Sequence, residues 1–140
     1  MAVEKQSILK RAKNPQIGQH RNPMKKPEIK SYSISDFPGP ADDDPWVPDD
    51  RTYFEFWMQV AIGIEGEAGA DNFTVHVVSQ KMLPRIERKQ YLLVVPYFES
   101  MSSIVRLIEQ SIGHCAGSNW EDISSCISKL YYWEYHHYTP

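Results

Sequence analysis

From Tyr53 onward the chain alternates, with Phe54, Phe56, Met58, Val60 and Ile62 on one side and Glu55, Trp57, Gln59 and Ala61 on the other. A period of two is that of a strand with one buried face, and this is the clearest strand in the sequence. A second alternation follows in NFTVHVVSQ, where Phe73, Val75 and Val77 share a side. The stretch AIGIEGEAGADNF joins the two and reads most simply as the loop of an antiparallel hairpin. EIKSYSISDF, with Ile29, Tyr32 and Ile34 as its larger apolar residues, predicts a short first strand. The unbroken run YLLVVPY predicts a strand covered on both sides and ended by Pro96.

The period then changes to that of a helix. Ile104, Leu107, Ile108, Ile112 and Cys115 form one stripe, with Ser102 or Ser103 as the expected cap and Gly117 as the expected stop. A second stripe is Ile123, Cys126, Ile127, Leu130 and Tyr131, opened by Asn119 as N-cap with Glu121 and Asp122 in the first turn. The short connection predicts antiparallel neighbours. The closing YYWEYHHY fits either an extension of this helix or an edge strand. Strands first and helices last, without strict alternation, predict an α+β domain: a mainly antiparallel sheet of about four strands with two antiparallel helices packed on one face.

Two segments lack such patterns. PGPADDDPWVPDD holds four prolines and five aspartates, so it is a loop, and Trp46 and Val47 pin it to the body. Residues 1–29 read as a flexible basic leader ahead of a single domain at 30–140, because they are rich in Asn, Gln and Pro and poor in aromatics.

Composition changes the picture at one point. The net charge is -3, with 41% hydrophobic and 12% aromatic residues, enough apolar surface for a core in 140 residues. Residues 1–30 hold eight Lys/Arg against two Glu, a balance of +6, so the remaining 110 residues carry -9. The body is acidic. No apolar run reaches the roughly 20 residues of a membrane span, and the N-terminus lacks a secretory h-region, which together point to the cytoplasm. Two cysteines, Cys115 and Cys126, make no disulfide framework and agree with a reducing compartment.

Candidate chemistry is thin. The glycines of the hairpin loop, Gly63, Gly66 and Gly69, are spaced G-x-x-G-x-x-G with Glu65, Glu67 and Asp71 among them, and no Lys or Arg occurs between Arg51 and Lys81. Three carboxylates repel a phosphate, and a loop between strands has no helix terminus to bind one. Neither acidic stretch has the twelve-residue spacing of a calcium loop. His76, His114, His136 and His137 with the two cysteines form no C-x-x-C or H-E-x-x-H pattern, and both cysteines fall on apolar helix stripes as small core residues. No catalytic residue, metal or cofactor is expected. What remains is an acidic body rich in Trp and Tyr, the composition of an interface core with a charged rim, alongside the plainer reading of buried aromatics and solvated acids.

FEFWMQVAIGIEGEAGADNFTVHVVS, YLLVVPYFE and LIEQSIGHCAGSNWEDISSCISKLYYWEYHHY, in that order, resemble the Immunity protein 8 family of bacterial polymorphic toxin systems. The matching residues are Ile62, Gly63, Gly66, Phe73, Val77, Trp120, Glu121, Trp133 and Glu134, and the resemblance spans about residues 30 to 138. It implies an antidote without catalytic residues, which binds the toxic C-terminal domain of a delivered effector. Many such effectors act on nucleic acid through a basic cleft, so an acidic face would take the place of phosphates. On that reading Glu65, Glu67 and Asp71, joined by Asp42, Asp43, Asp44, Asp49 and Asp50, form the toxin-binding face, with no membrane or nucleic acid as partner. The rival readings are a nucleic-acid adaptor working through the basic arm, and a small enzyme, for which the sequence offers no cluster of tuned groups.

Overall fold

The alternating segment and its successor form the expected hairpin. In the computed structural model, which describes residues 24–34 and 46–136, β1 is Pro27–Ile34, β2 is Glu55–Ile64 and β3 is Asp71–Ser79. A single turn of 3-10 helix, Leu83–Arg85, precedes β4 at Leu92–Val95, followed by α1 at Met101–Ile112, α2 at Trp120–Ile127 and the two-residue β5 at Tyr132–Trp133. The sheet runs β1-β2-β3-β4, with β5 also on β3. All pairs are antiparallel except β3 with β4, which is parallel. The chain is thus α+β, with a mostly antiparallel sheet and two helices.

The period of two decides which face is covered. Phe56, Met58, Val60 and Ile62 of β2 and Phe73, Val75 and Val77 of β3 are buried in one cluster with Ile104, Ile108 and Ile112 of α1 and Ile123 and Ile127 of α2. The residues between them, Trp57, Gln59, Thr74 and His76, point to the other face by strand alternation. Among the described residues both α-helices pack on the first face. Trp46 packs against Phe56 and Phe98, with ring centroids at 4.8 and 5.7 Å, which pins the described end of its loop, whereas Val47 is exposed.

Several expectations need correction. β4 is covered on one side only: Val95 is buried but Val94 is 41% exposed, because a run at the sheet's edge turns alternate residues to the uncovered face. The cap of α1 is Ser100, whose hydroxyl accepts from the Ser103 N–H, and α1 ends at Gly113. Gly117 instead pairs with Lys25, so strand pairing of the N-terminal segment begins ahead of residue 30. Asn119 caps α2 as predicted, accepting from the Asp122 N–H at 2.8 Å. α2 stops at Ile127, and the terminal aromatic segment returns as β5, pairing Trp133 with Phe73 and Tyr132 with Thr74. Past the helix end, the buried Tyr131 hydroxyl lies 2.6 Å from Ser111 Oγ, and burial pushes this phenol up from its ordinary range.

The largest correction concerns the cysteines. Cys115 and Cys126 are joined by a disulfide, with Cα atoms 5.5 Å apart. Eleven residues of separation look like nothing in sequence, but Cys115 lies not on α1, as expected, but in the connection after it, which brings it against Cys126 of α2. The cysteines therefore no longer speak for a reducing compartment. No described helix is long and apolar enough to cross a membrane. The short loop closed by this bond makes its entropic contribution modest, so Cys115→Ser with Cys126→Ser, or reduction, is expected to lower stability by about 2 kcal/mol without unfolding the chain. Urea unfolding with and without reductant checks this; an equal midpoint in both would show that the bond does not contribute.

Candidate functional site

The hairpin loop, residues 65–70, is shaped by its glycines. Gly66 and Gly69 have φ of 81° and 96°, the left-handed region that side chains disfavour. Gly63 has no such φ, but a Cβ there would collide with the carbonyl oxygen of Gly69. The loop is also held from outside. The Glu65 N–H donates to the Lys26 carbonyl at 2.8 Å, Lys30 Nζ donates to the Glu67 carbonyl at 2.8 Å, and Lys25 Nζ lies 3.0 Å from Glu67 Oε2. Lys30 also reaches Glu28, and its hydrogen bond and charge hold that exposed carboxyl below the ordinary glutamate range.

The predicted acidic residues thus have different circumstances. Glu65 is exposed, and Glu67 is exposed but shares Lys25. Asp71 is half-buried, and its Oδ2 accepts from the indole N–H groups of both Trp120, at 2.8 Å, and Trp133, at 3.0 Å. Asp49 and Asp50 precede β2 while the loop follows it, so the ten residues of β2, about 30 Å of strand, separate the two groups. Asp50 is tied locally: the Thr52 N–H and hydroxyl both donate to it and hold its carboxyl below the ordinary range. Asp42, Asp43 and Asp44 lie outside the described residues, as do residues 1–23, His137 and Tyr138.

The uncovered sheet face carries a second feature. Trp57 and His76 stack with ring centroids 4.0 Å apart, and His76 Nε2 lies 2.8 Å from Glu55 Oε2. The segment leading into β4 folds over this face, burying Ile86, and between it and the strands lies a cleft of about 470 Å³. Arg85, Arg88 and Tyr91 form its outer wall. Tyr91 has φ of 61°, and it alone among the described non-glycine residues lies in the left-handed region. The sequence reading singled out Trp57 and His76 but not Arg85, Arg88 or Tyr91. The signal available was the charged cluster RIERKQY between two apolar runs.

One trio of described residues has metal-ligating atoms close together: those of His114, Cys115 and Cys126 lie within 4.8 Å of one another. The disulfide takes both sulfurs and leaves His114 alone of the three with a ligand atom to offer.

Many of the residues that carried the family resemblance hold this architecture together. Gly63 permits the close approach of the loop's two ends, and Phe73 stacks on Trp133 with centroids 6.4 Å apart. Glu134 accepts from the Asn72 N–H at 2.6 Å and returns its own N–H to the Asn72 carbonyl at 3.0 Å. No curated protein and no solved structure gives a significant match to the chain. The family model of Immunity protein 8 matches residues 27–138, most of the chain and every described strand and α-helix, and the protein therefore belongs to the Immunity protein 8 family.

Proposed function

We propose that this immunity protein binds the toxic C-terminal domain of a cognate effector and neutralises it by direct contact, without catalysis of its own. The observation that carries the reading is the family match over residues 27–138. The toxin domain is basic around its active cleft, as befits an enzyme acting on nucleic acid, and Glu65 and Glu67 approach it from the hairpin loop with Asp71 behind them. Support comes from the exposure of both glutamates and from the rigidity given to the loop by Lys25, Lys26 and Lys30. A fixed loop loses little freedom on binding, and its charge steers a basic partner. Asp49 and Asp50 lie beyond the far end of β2 from the loop and are left out of this contact. The proposed meeting place of the two proteins is the cytoplasm.

The test is co-expression of the chain with the C-terminal domain of the protein encoded just upstream. Rescue of growth and co-purification of the pair are expected. Glu65→Lys with Glu67→Lys is expected to slow association about tenfold at low salt and to flatten its salt dependence, since rim charges act mainly on encounter. Unchanged association in this variant would remove the loop from the interface and leave the antidote role standing. Toxicity without rescue or complex would remove the role itself for that toxin.

A further inference from the structure

We infer that the cleft on the uncovered sheet face is the toxin's anchoring pocket, and that it receives a segment presenting an aromatic or long apolar side chain beside a carboxylate. The inference rests on the antidote reading and names a contact which that reading leaves open.

The floor supplies the first half of the chemistry. Trp57 is 41% exposed although its ring already stacks on His76, so an indole edge and face stay available to a further apolar group. The 2.8 Å contact between Glu55 Oε2 and His76 Nε2 fixes the imidazole and therefore the platform. A large side chain held flat at an open surface by a neighbouring ring is preorganised for contact, and Trp, Tyr and Arg are the residue types in which binding energy concentrates.

The wall supplies the second half. Arg85 and Arg88 are exposed, and among the described residues no carboxylate lies within 4.0 Å of either guanidinium. Two guanidinium groups lining the same cleft as an aromatic pair suit a carboxylate, which can be gripped bidentately. Glu55 and Glu87 also line the cleft, so its charge is mixed rather than strongly positive. A phosphate dianion would set two negative charges against both carboxylates; a protein segment brings a single carboxylate, with amide groups that can donate to Glu55 and Glu87. This favours a peptide over a nucleotide.

Tyr91 is an independent sign. A bulky residue at φ of 61° is strained, and such strain persists where the surroundings demand it, often at binding sites. Here the conformation directs the Tyr91 carbonyl to the His76 N–H, at 3.2 Å, while the ring joins the outer wall. The volume, about 470 Å³, suits one or two side chains. Trp57 and the end of β2 at Ile64 are seven residues apart, about 23 Å of strand. A partner footprint of about 800 Å² can therefore cover both the cleft and the loop.

The experiment measures affinity of the full chain for the upstream toxin domain by calorimetry, with Trp57→Ala, the double variant Arg85→Glu with Arg88→Glu, and the loop variant Glu65→Lys with Glu67→Lys alongside. None of these side chains is part of the core, and circular dichroism and melting confirm that each variant is folded. Trp57→Ala is expected to weaken binding at least about 30-fold, the loss typical of an interface anchor, and the arginine reversal about tenfold or more. Affinities within twofold of the unsubstituted chain for both cleft variants would overturn the inference and leave the antidote role intact. Failure of the unsubstituted chain to bind or rescue would overturn both. Saturable binding of AMP that disappears in Trp57→Ala would assign the cleft to a nucleotide and likewise overturn it.

Discussion

Gly63→Ala is expected to destabilise the protein by about 3 kcal/mol, the upper part of the range for overpacking, although it adds a single methyl group. The reason is what the methyl meets. At Gly63 the added carbon collides with the backbone carbonyl of Gly69 and crowds the Lys30 side chain, and a backbone atom cannot rotate out of the way. Either the hairpin's ends separate or β1 loses the Lys30 contact that holds the loop. Gly66→Ala provides the comparison, because nothing lies within 4 Å of a Cβ there and its φ is positive. That variant incurs only the conformational term, about 1–2 kcal/mol. Urea unfolding of the two variants tests the distinction; a smaller loss at Gly63 than at Gly66 would show that the loop yields easily and that its shape is not imposed by close approach.

The hairpin that contains these glycines was the most legible part of the sequence. Residues 54 to 62 place Phe, Phe, Met, Val and Ile at every second position, and a strand with one covered face is the arrangement that buries all five. Asn119 was equally legible, since a capping side chain acts within three residues of itself. Ser100 was not singled out, because several nearby serines can serve the same turn and the path of the preceding chain chooses among them. The run at Leu92–Val95 announced burial on both sides, but edge position belongs to the whole sheet, and among the described residues this strand pairs on one side only.

The sites were less legible than the fold for the same reason. The disulfide depends on how two helical segments meet, and the cleft gathers Trp57, His76, Arg85, Arg88 and Tyr91 from three separate stretches. Acidic residues can be counted in a sequence, but their neighbours cannot. Glu67 shares Lys25, Asp50 is occupied by Thr52, and Asp71 is turned toward two tryptophans.

Asp71 therefore carries the second large expected effect. Its Oδ2 receives two indole N–H groups, one from the first residue of α2 and one from β5, so a single carboxylate fastens both C-terminal elements to the start of β3. Both indoles also pack on Phe73, Trp133 by stacking and Trp120 edge-on. Asp71→Ala removes the shared acceptor and leaves two part-buried donors without it. With about 1.5 kcal/mol or more for each hydrogen bond to a charged group, the expected loss is about 3 kcal/mol. Asp71→Asn keeps a carbonyl acceptor but no charge, and is expected to lose about half as much. Tryptophan fluorescence during urea unfolding reports both variants through the residues concerned. Equal losses would mean that the charge, not the acceptor geometry, holds the indoles; a loss below about 1 kcal/mol in the alanine variant would mean that packing on Phe73 suffices. The pair also separates two ways in which Asp71 can serve toxin binding. If it meets the toxin by charge, asparagine and alanine weaken association alike. If it acts by setting the loop and the adjoining aromatic residues in place, toxin affinity follows stability across the two variants, and asparagine stays close to the unsubstituted protein.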